Sequence, residues 1–151
     1  MTEVSFYHLQ KSRLEDVLPM LLEKTLGVGK RALVLVGSSP RAEQLNAHLW
    51  SYRQGSWLPH GTARDGRAED QPVWLSPEEE NPNAATFLFL ADGATSTDIG
   101  VYERCFELFD GNDAAQVAAA RERWKAYKDA GHPLKYLQQT ERGNWQEKAT
   151  G

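Results

Sequence analysis

Two uninterrupted apolar runs, "RALVLVG" at 31–37 and "ATFLFLAD" at 85–92, constrain this chain more than any other feature. Neither alternates. A strand that is apolar at every position needs cover on both faces, a condition met inside a mainly parallel sheet layered with helices. "VSFYHL" at 4–9 alternates and is rich in β-formers, and "PVWLS" at 72–76 is a shorter strand. "YERCFELFD" at 102–110 holds a further strand after a short helical turn.

Helical patterns lie between the strands. "RLEDVLPMLLEKTLG" sets Leu14, Val17, Leu18, Leu21, Leu22 and Thr25 at helical spacing and closes on Gly27. Pro19 conflicts with that pattern. Either the helix starts near Asp16, with the proline in its first turn, or it is kinked there. "SSPRAEQLNAHLW" offers Ser39 as N-cap and Pro40 at N1, with Ala42, Leu45, Leu49 and Trp50 on one face. A long helix from about Asp113 to Ala130 is closed by Gly131. Strands alternating with helices imply an α/β layered fold with right-handed crossovers.

The chain has 151 residues, enough for one core. At this size roughly 70% of the unfolded surface can be buried. We place a single domain at 1–137 and a polar, flexible C-terminal tail at 138–151, with "HPLKYLQQ" as a possible edge strand. The stretch from Ser51 to Gln71 carries Gly55, Pro59, Gly61 and Gly66, and is long for a loop in a compact domain. "PEEENPN" reads as a solvated acidic turn.

Charge is unevenly placed. Residues 1–110 hold 10 Lys and Arg against 16 Asp and Glu, whereas 111–151 hold 7 against 5, for a net −4 overall. An acidic body argues against direct nucleic-acid binding, for which a basic footprint is expected. A local anion site remains open. Cys105 is the only cysteine, so no internal disulfide forms, which favours a reducing compartment. Neither a signal peptide nor a membrane span is expected, and the chain reads as cytoplasmic.

Catalytic motifs are missing where they would be needed. A phosphate loop follows a strand and opens a helix, but "GVGK" at 27–30 follows a helix and precedes a strand. After "LVLVG" the chain reads "SSPRAE", not the glycine pattern of a dinucleotide site. His8, His48, His60 and His132 are far apart, and one cysteine cannot complete a zinc site. No catalytic residue, metal or cofactor is expected.

Two aromatic features remain. In "ARERWKAYKDAG", Val117, Ala120, Trp124 and Tyr127 share one helical face, bordered by Arg121, Lys125 and Lys128. One reading is an amphipathic helix with Trp124 in the core and cationic stems along its flank. The other is a slot in which an aromatic face takes an apolar side chain while the cations take a carboxylate, as suits the end of an acidic peptide. The second feature, "LWSYRQGSWLPHG" at 49–61, gathers Trp50, Tyr52, Trp57 and Pro59 around a turn, and such residues are enriched at interfaces.

The order "FYHL", "RALVLVG", "AEQLNAHLW", "SWLPHG", "PVWL", "RERWKAYKDAGH" resembles the chi subunits of bacterial DNA polymerase III holoenzyme over roughly residues 4–132. "LW…SWLPHG" and "ARERWKAYKDAG" are its most specific pieces. The resemblance implies a three-layer Rossmann-like domain without a functional nucleotide-binding loop, acting as a non-catalytic clamp-loader accessory. It also implies two partners: the acidic C-terminal tail of single-stranded DNA-binding protein, and the psi subunit where one exists. Carried over, the tail-binding pattern falls on Arg121, Trp124 and Lys125, with Trp124 where relatives often have Tyr. Lys128 is added from the helical wheel. The psi-facing patch falls on Trp50, Trp57, Pro59 and His60. The reading from another class is a small Rossmann-type nucleotide-dependent enzyme with a degenerate phosphate loop.

Overall fold

The computed structural model describes residues 2–51, 60–62, 67–140, 142 and 145–150, without the side chains of Trp50, Ser51, Ala149 and Thr150. The chain runs β1 (Glu3–Leu9), α1 (Leu14–Gly27), β2 (Ala32–Leu35), α2 (Ser39–Ser51), β3 (Gly61–Thr62), β4 (Val73–Ser76), β5 (Phe87–Ala91), β6 (Arg104–Asp110), α3 (Ala114–Asp129), β7 (Leu134–Gln139) and β8 (Trp145–Thr150). These strands form one eight-stranded sheet in the order β3-β4-β2-β5-β6-β1-β7-β8. Every pairing is parallel except β7 with β8.

The period of two in the strands sorts the core into two layers. Ala32 and Val34, Phe87 and Phe89, and Phe106 and Leu108 pack against Leu14, Leu18 and Leu22 of α1 and Leu45 and Leu49 of α2. Leu33, Leu35, Leu88, Leu90, Cys105, Phe109 and Phe6 point the other way, toward Ala120 of α3. Helices therefore cover both faces of a mostly parallel sheet. This is the layered, mainly parallel α/β arrangement expected from the two apolar runs, in the three-layer, Rossmann-like form that the resemblance implies.

Pro19 lies inside α1, which starts at Leu14, before the proline can be a first-turn residue. A proline at that position leaves the carbonyl of Glu15, four residues back, without its helical N–H. His48 of α2 supplies the donor instead, with Nε2 2.7 Å from the Glu15 oxygen. The conflict in the sequence is resolved by a neighbouring helix.

Two caps differ from the sequence reading by one residue or not at all. α2 is capped by Ser38, not Ser39: Ser38 Oγ accepts from the Arg41 N–H at 3.3 Å. Asp113 caps α3, its Oδ1 accepting from Ala115 N–H at 2.9 Å and Gln116 N–H at 3.3 Å. Gly131 follows α3 with a φ of 89°, the left-handed conformation that glycine adopts without strain.

The C-terminal expectation is corrected. Part of the 138–151 segment, expected to be a flexible tail, forms β8, which pairs antiparallel with β7 through Gln139↔Trp145 and Leu137↔Glu147. β7 is consequently an inner strand. Trp145 secures this addition, its ring standing edge-on to Tyr7 at 5.0 Å. The acidic "PEEENPN" turn is also more structured than its composition suggests. Glu79 accepts from Ser96 Oγ at 2.6 Å and from the Thr97 N–H and hydroxyl at 2.8 Å. Those hydrogen bonds outweigh its slight burial and hold its pKa below the ordinary value.

Candidate functional site

The helical face of α3 read from the sequence does point inward. Ala120 is 1% exposed, and Val117, Trp124 and Tyr127 are half-buried against the core beneath them. One buried polar cluster fixes the helix at that rotation. Glu107 of β6, 1% exposed, accepts from Arg123 Nε at 2.7 Å and from the Tyr127 hydroxyl at 2.8 Å. Burial pushes the Glu107 pKa up, and the Arg123 guanidinium and both hydrogen bonds pull it back. With Arg123 and Tyr127 held on the sheet, Arg121 and Lys125 are turned outward.

Trp124 sits at the boundary. Its ring meets Phe6 edge-on at 5.3 Å and Tyr136 at 5.9 Å, while Tyr136 lies nearly parallel to Phe6. The outer side of the indole borders a groove of about 410 Å³, lined also by His8, Arg121, Tyr136 and Gln138. Arg121 is exposed and has no hydrogen-bond or ion-pair partner among the described residues. Both sequence readings of Trp124 are thus partly met, because one side of the ring packs on Phe6 and the other faces the groove.

Lys125 and Lys128 are exposed one and two turns beyond Arg121 on the same stripe, but neither lines the groove itself. His8, Tyr136 and Gln138 line it and were not among the expected residues. His8 on β1 and Tyr136 on β7 are in adjacent strands, and His8 Nδ1 lies 2.6 Å from the Tyr136 hydroxyl. Burial is the main cause of a lowered His8 pKa. Arg121 adds to it, whereas the Gly111 backbone and Asp110 act the other way. Tyr136 is pushed up by burial, with Arg121 opposing. The strand alternation Leu134, Tyr136, Gln138 was a usable signal, but it was masked by reading the segment as an edge leading into a tail.

The second aromatic feature falls largely outside the described residues, where Trp57, Pro59 and the Trp50 side chain lie. His60 is described and is 1% exposed, its Nε2–H donating to the Asn46 carbonyl at 3.0 Å. It ties the end of the loop to α2 and does not present its ring to solvent.

At the carboxyl ends of β1 and β6, where α/β folds hold nucleotides, lies a crevice of about 310 Å³ lined by Lys11, Arg41, Asp92 and Asp110 among others. Successive N–H groups at the start of a βα junction form a nest for a phosphate oxygen. Here Gln139 fills that nest. Its Oε1 accepts from Gln10, Lys11 and Ser12 N–H at 3.1, 2.9 and 3.0 Å, and its Nε2 donates to Ser12 Oγ at 3.0 Å. Arg41 is likewise engaged, with Nη2 2.5 Å from Glu15 and Nε 2.6 Å from Asp92.

Cys105 is fully buried, and burial raises its thiol pKa well above the ordinary value, which disfavours the thiolate a nucleophile needs. Among the described residues, no group of three His, Cys, Asp or Glu side chains is placed to hold a metal, and no helix is long and apolar enough to cross a membrane.

Comparison with known proteins gives the family. A "Probable DNA polymerase III subunit chi" of Rickettsia prowazekii is 29% identical over 90 residues, covering 60% of this chain and 54% of that protein. The chain thus matches about half the length of that relative. A "DNA polymerase III subunit chi" of Pseudomonas aeruginosa is 27% identical over 138 residues, covering 89% of this chain and 94% of that protein. The model of the family described as "DNA polymerase III chi subunit, HolC" matches residues 1–135, which hold α1 to α3, β1 to β6 and the start of β7. The chain therefore belongs to the DNA polymerase III chi subunit family, accessory subunits of the replicative polymerase.

Proposed function

We propose that this chain is a non-catalytic adaptor that works in the cytoplasm, holding the acidic C-terminal tail of single-stranded DNA-binding protein and linking it to the polymerase III clamp loader. The observation that carries this reading is Arg121, exposed and without a partner among the described residues, beside a half-buried Trp124 on the rim of one groove. A terminal carboxylate would pair with the guanidinium, and a neighbouring aromatic side chain would rest against Trp124 and Tyr136. Lys125 and Lys128 extend the positive stripe toward acidic residues further back in the tail. Exposed ion pairs contribute little singly. Useful affinity comes from the aromatic slot together with several tails per assembly.

A psi subunit, where present, would dock on Trp50, Trp57 and Pro59, with His60, buried and bonded to the Asn46 carbonyl of α2, not touching the partner. Nucleotide-dependent catalysis is the weaker reading, because Gln139 already satisfies the amides that a phosphate would use.

The test is a peptide titration. An acidic peptide ending in Asp-Phe-x-Phe should bind and raise the melting temperature, and ATP and NAD should leave it unchanged. Arg121→Ala and Trp124→Ala should each weaken the peptide by about 1–3 kcal/mol with unfolding still cooperative. Equal binding by wild type and both variants removes the groove from the mechanism, and stabilisation by nucleotide alone restores the enzyme reading.

A further inference from the structure

His8 and Tyr136 form a hydrogen-bonded pair in the floor of the groove, 2.6 Å apart. One proton bridges His8 Nδ1 and the Tyr136 oxygen whichever group donates. Two further positions can hold a proton: His8 Nε2, and the side of the Tyr136 hydroxyl that is turned away from His8. The neutral pair has only two protons for these three positions. Nε2 is buried against Gly111, where even a single added Cβ would overlap the imidazole ring.

We propose that an anionic ligand seated in the groove is bound together with one proton from solvent. His8 becomes an imidazolium whose Nδ1–H must donate to the Tyr136 oxygen, so the Tyr136 O–H is always free to donate to the ligand carboxylate, whereas the neutral pair divides between that arrangement and Tyr136 donating to His8. The proposal rests on the tail-binding reading above and assigns His8 as a positioning residue that acts through Tyr136.

The charges facing His8 set the direction of this coupling. Asp110 at the end of β6 favours the imidazolium, Arg121 of α3 opposes it, and the Gly111 backbone follows Asp110. β7 contributes Tyr136, and the Phe109 ring packs 5.1 Å from the imidazole. Burial, with Arg121, disfavours the imidazolium of His8. A bound carboxylate neutralises Arg121 and adds an attraction of its own, so both changes favour the proton. Affinity and proton uptake are then linked.

Titration calorimetry on the full chain tests this with the same acidic peptide, run at pH 6.5 in two buffers of different ionisation enthalpy. Wild type should take up roughly 0.3–0.6 proton per peptide and bind about 3- to 10-fold more tightly at pH 5.5 than at pH 8. The carboxylates of the peptide are ionised across that range. His8→Gln should bind without uptake and with a flat pH profile. Tyr136→Phe keeps the ring against Trp124 but not the hydroxyl, and should lose the gain in affinity on the acid side. Peptide binding without proton uptake, or uptake unchanged in His8→Gln, overturns the proposal and leaves tail binding intact. Absence of peptide binding at every pH, or binding indifferent to Arg121→Ala, overturns the tail reading as well.

Discussion

Two single residues carry more of this fold than their positions in the sequence suggest. His48 is half-buried on α2, and its Nε2–H completes the hydrogen bonding of α1 at the carbonyl left open by Pro19. Removing it should cost about 1–2 kcal/mol, the penalty for stranding a partly buried acceptor. Urea unfolding of His48→Ala measures this, and an unchanged midpoint would mean that water serves the carbonyl equally well. Arg123 is the second. It neutralises a carboxylate that is 1% exposed, and deleting one partner of such a pair typically costs about 3–5 kcal/mol. The pH dependence has a definite sign. A carboxyl group whose folded pKa is raised stabilises the fold below its unfolded pKa, and that contribution is lost as pH rises through the folded value. Arg123→Ala removes the cation that restrains this rise. Its loss of stability relative to wild type should therefore be smaller at pH 5 than at pH 7.5, and Glu107→Gln added to it should recover part of the loss at pH 7.5. A deficit independent of pH would show that Glu107 is not the group left uncompensated.

At the level of elements, α3 was legible, whereas β7 was legible only as an edge strand and β8 not at all, for physical reasons. The apolar face of α3 repeats at helical spacing, so Val117, Ala120, Trp124 and Tyr127 could be assigned inward and Arg121 outward from sequence alone. β7 has the strand alternation, but apart from Leu137 its residues after Leu134 are polar or amphipathic, and the polar stretch that follows reads as tail. What makes it an inner strand is non-local: pairing with β1 on one side and β8 on the other. The same gap hid Tyr136 and His8, 128 positions apart in sequence. It also hid Gln139, which is 6% exposed and closes the nest at the end of β1. Three N–H groups depend on that one side-chain oxygen. Gln139→Ala should lower stability by about 1–3 kcal/mol, within the range for losing satisfied partners of buried groups. It should also speed amide exchange at Gln10, Lys11 and Ser12. Exchange at wild-type rates there would show that the nest has another acceptor.

On the scale of the whole molecule, the sheet separates two potential sites, and in one of them the anion-binding amides and Arg41 are already engaged. At the carboxyl ends of the strands the amides are taken by Gln139 and Arg41 is held in ion pairs, whereas the groove beside α3 retains an open cation and an aromatic wall. Net charge follows the same division, with an excess of six acidic residues over 1–110 and of two basic residues over 111–151. An acidic body repels a nucleic-acid backbone, and a small basic stripe attracts a short anionic peptide at close range. The two interactions should respond differently to salt. Raising salt from about 50 to about 300 mM shortens the Debye length from roughly 14 to roughly 6 Å. Peptide affinity should fall only about 3- to 10-fold over that range, since the aromatic slot is insensitive to screening and only a few cations take part. Bare single-stranded DNA should not bind measurably at either salt concentration. A steep loss of peptide affinity, or tight binding of bare strands at low salt, would mean that the basic stripe acts as a general polyanion surface and that the groove beside Trp124 contributes little to recognition.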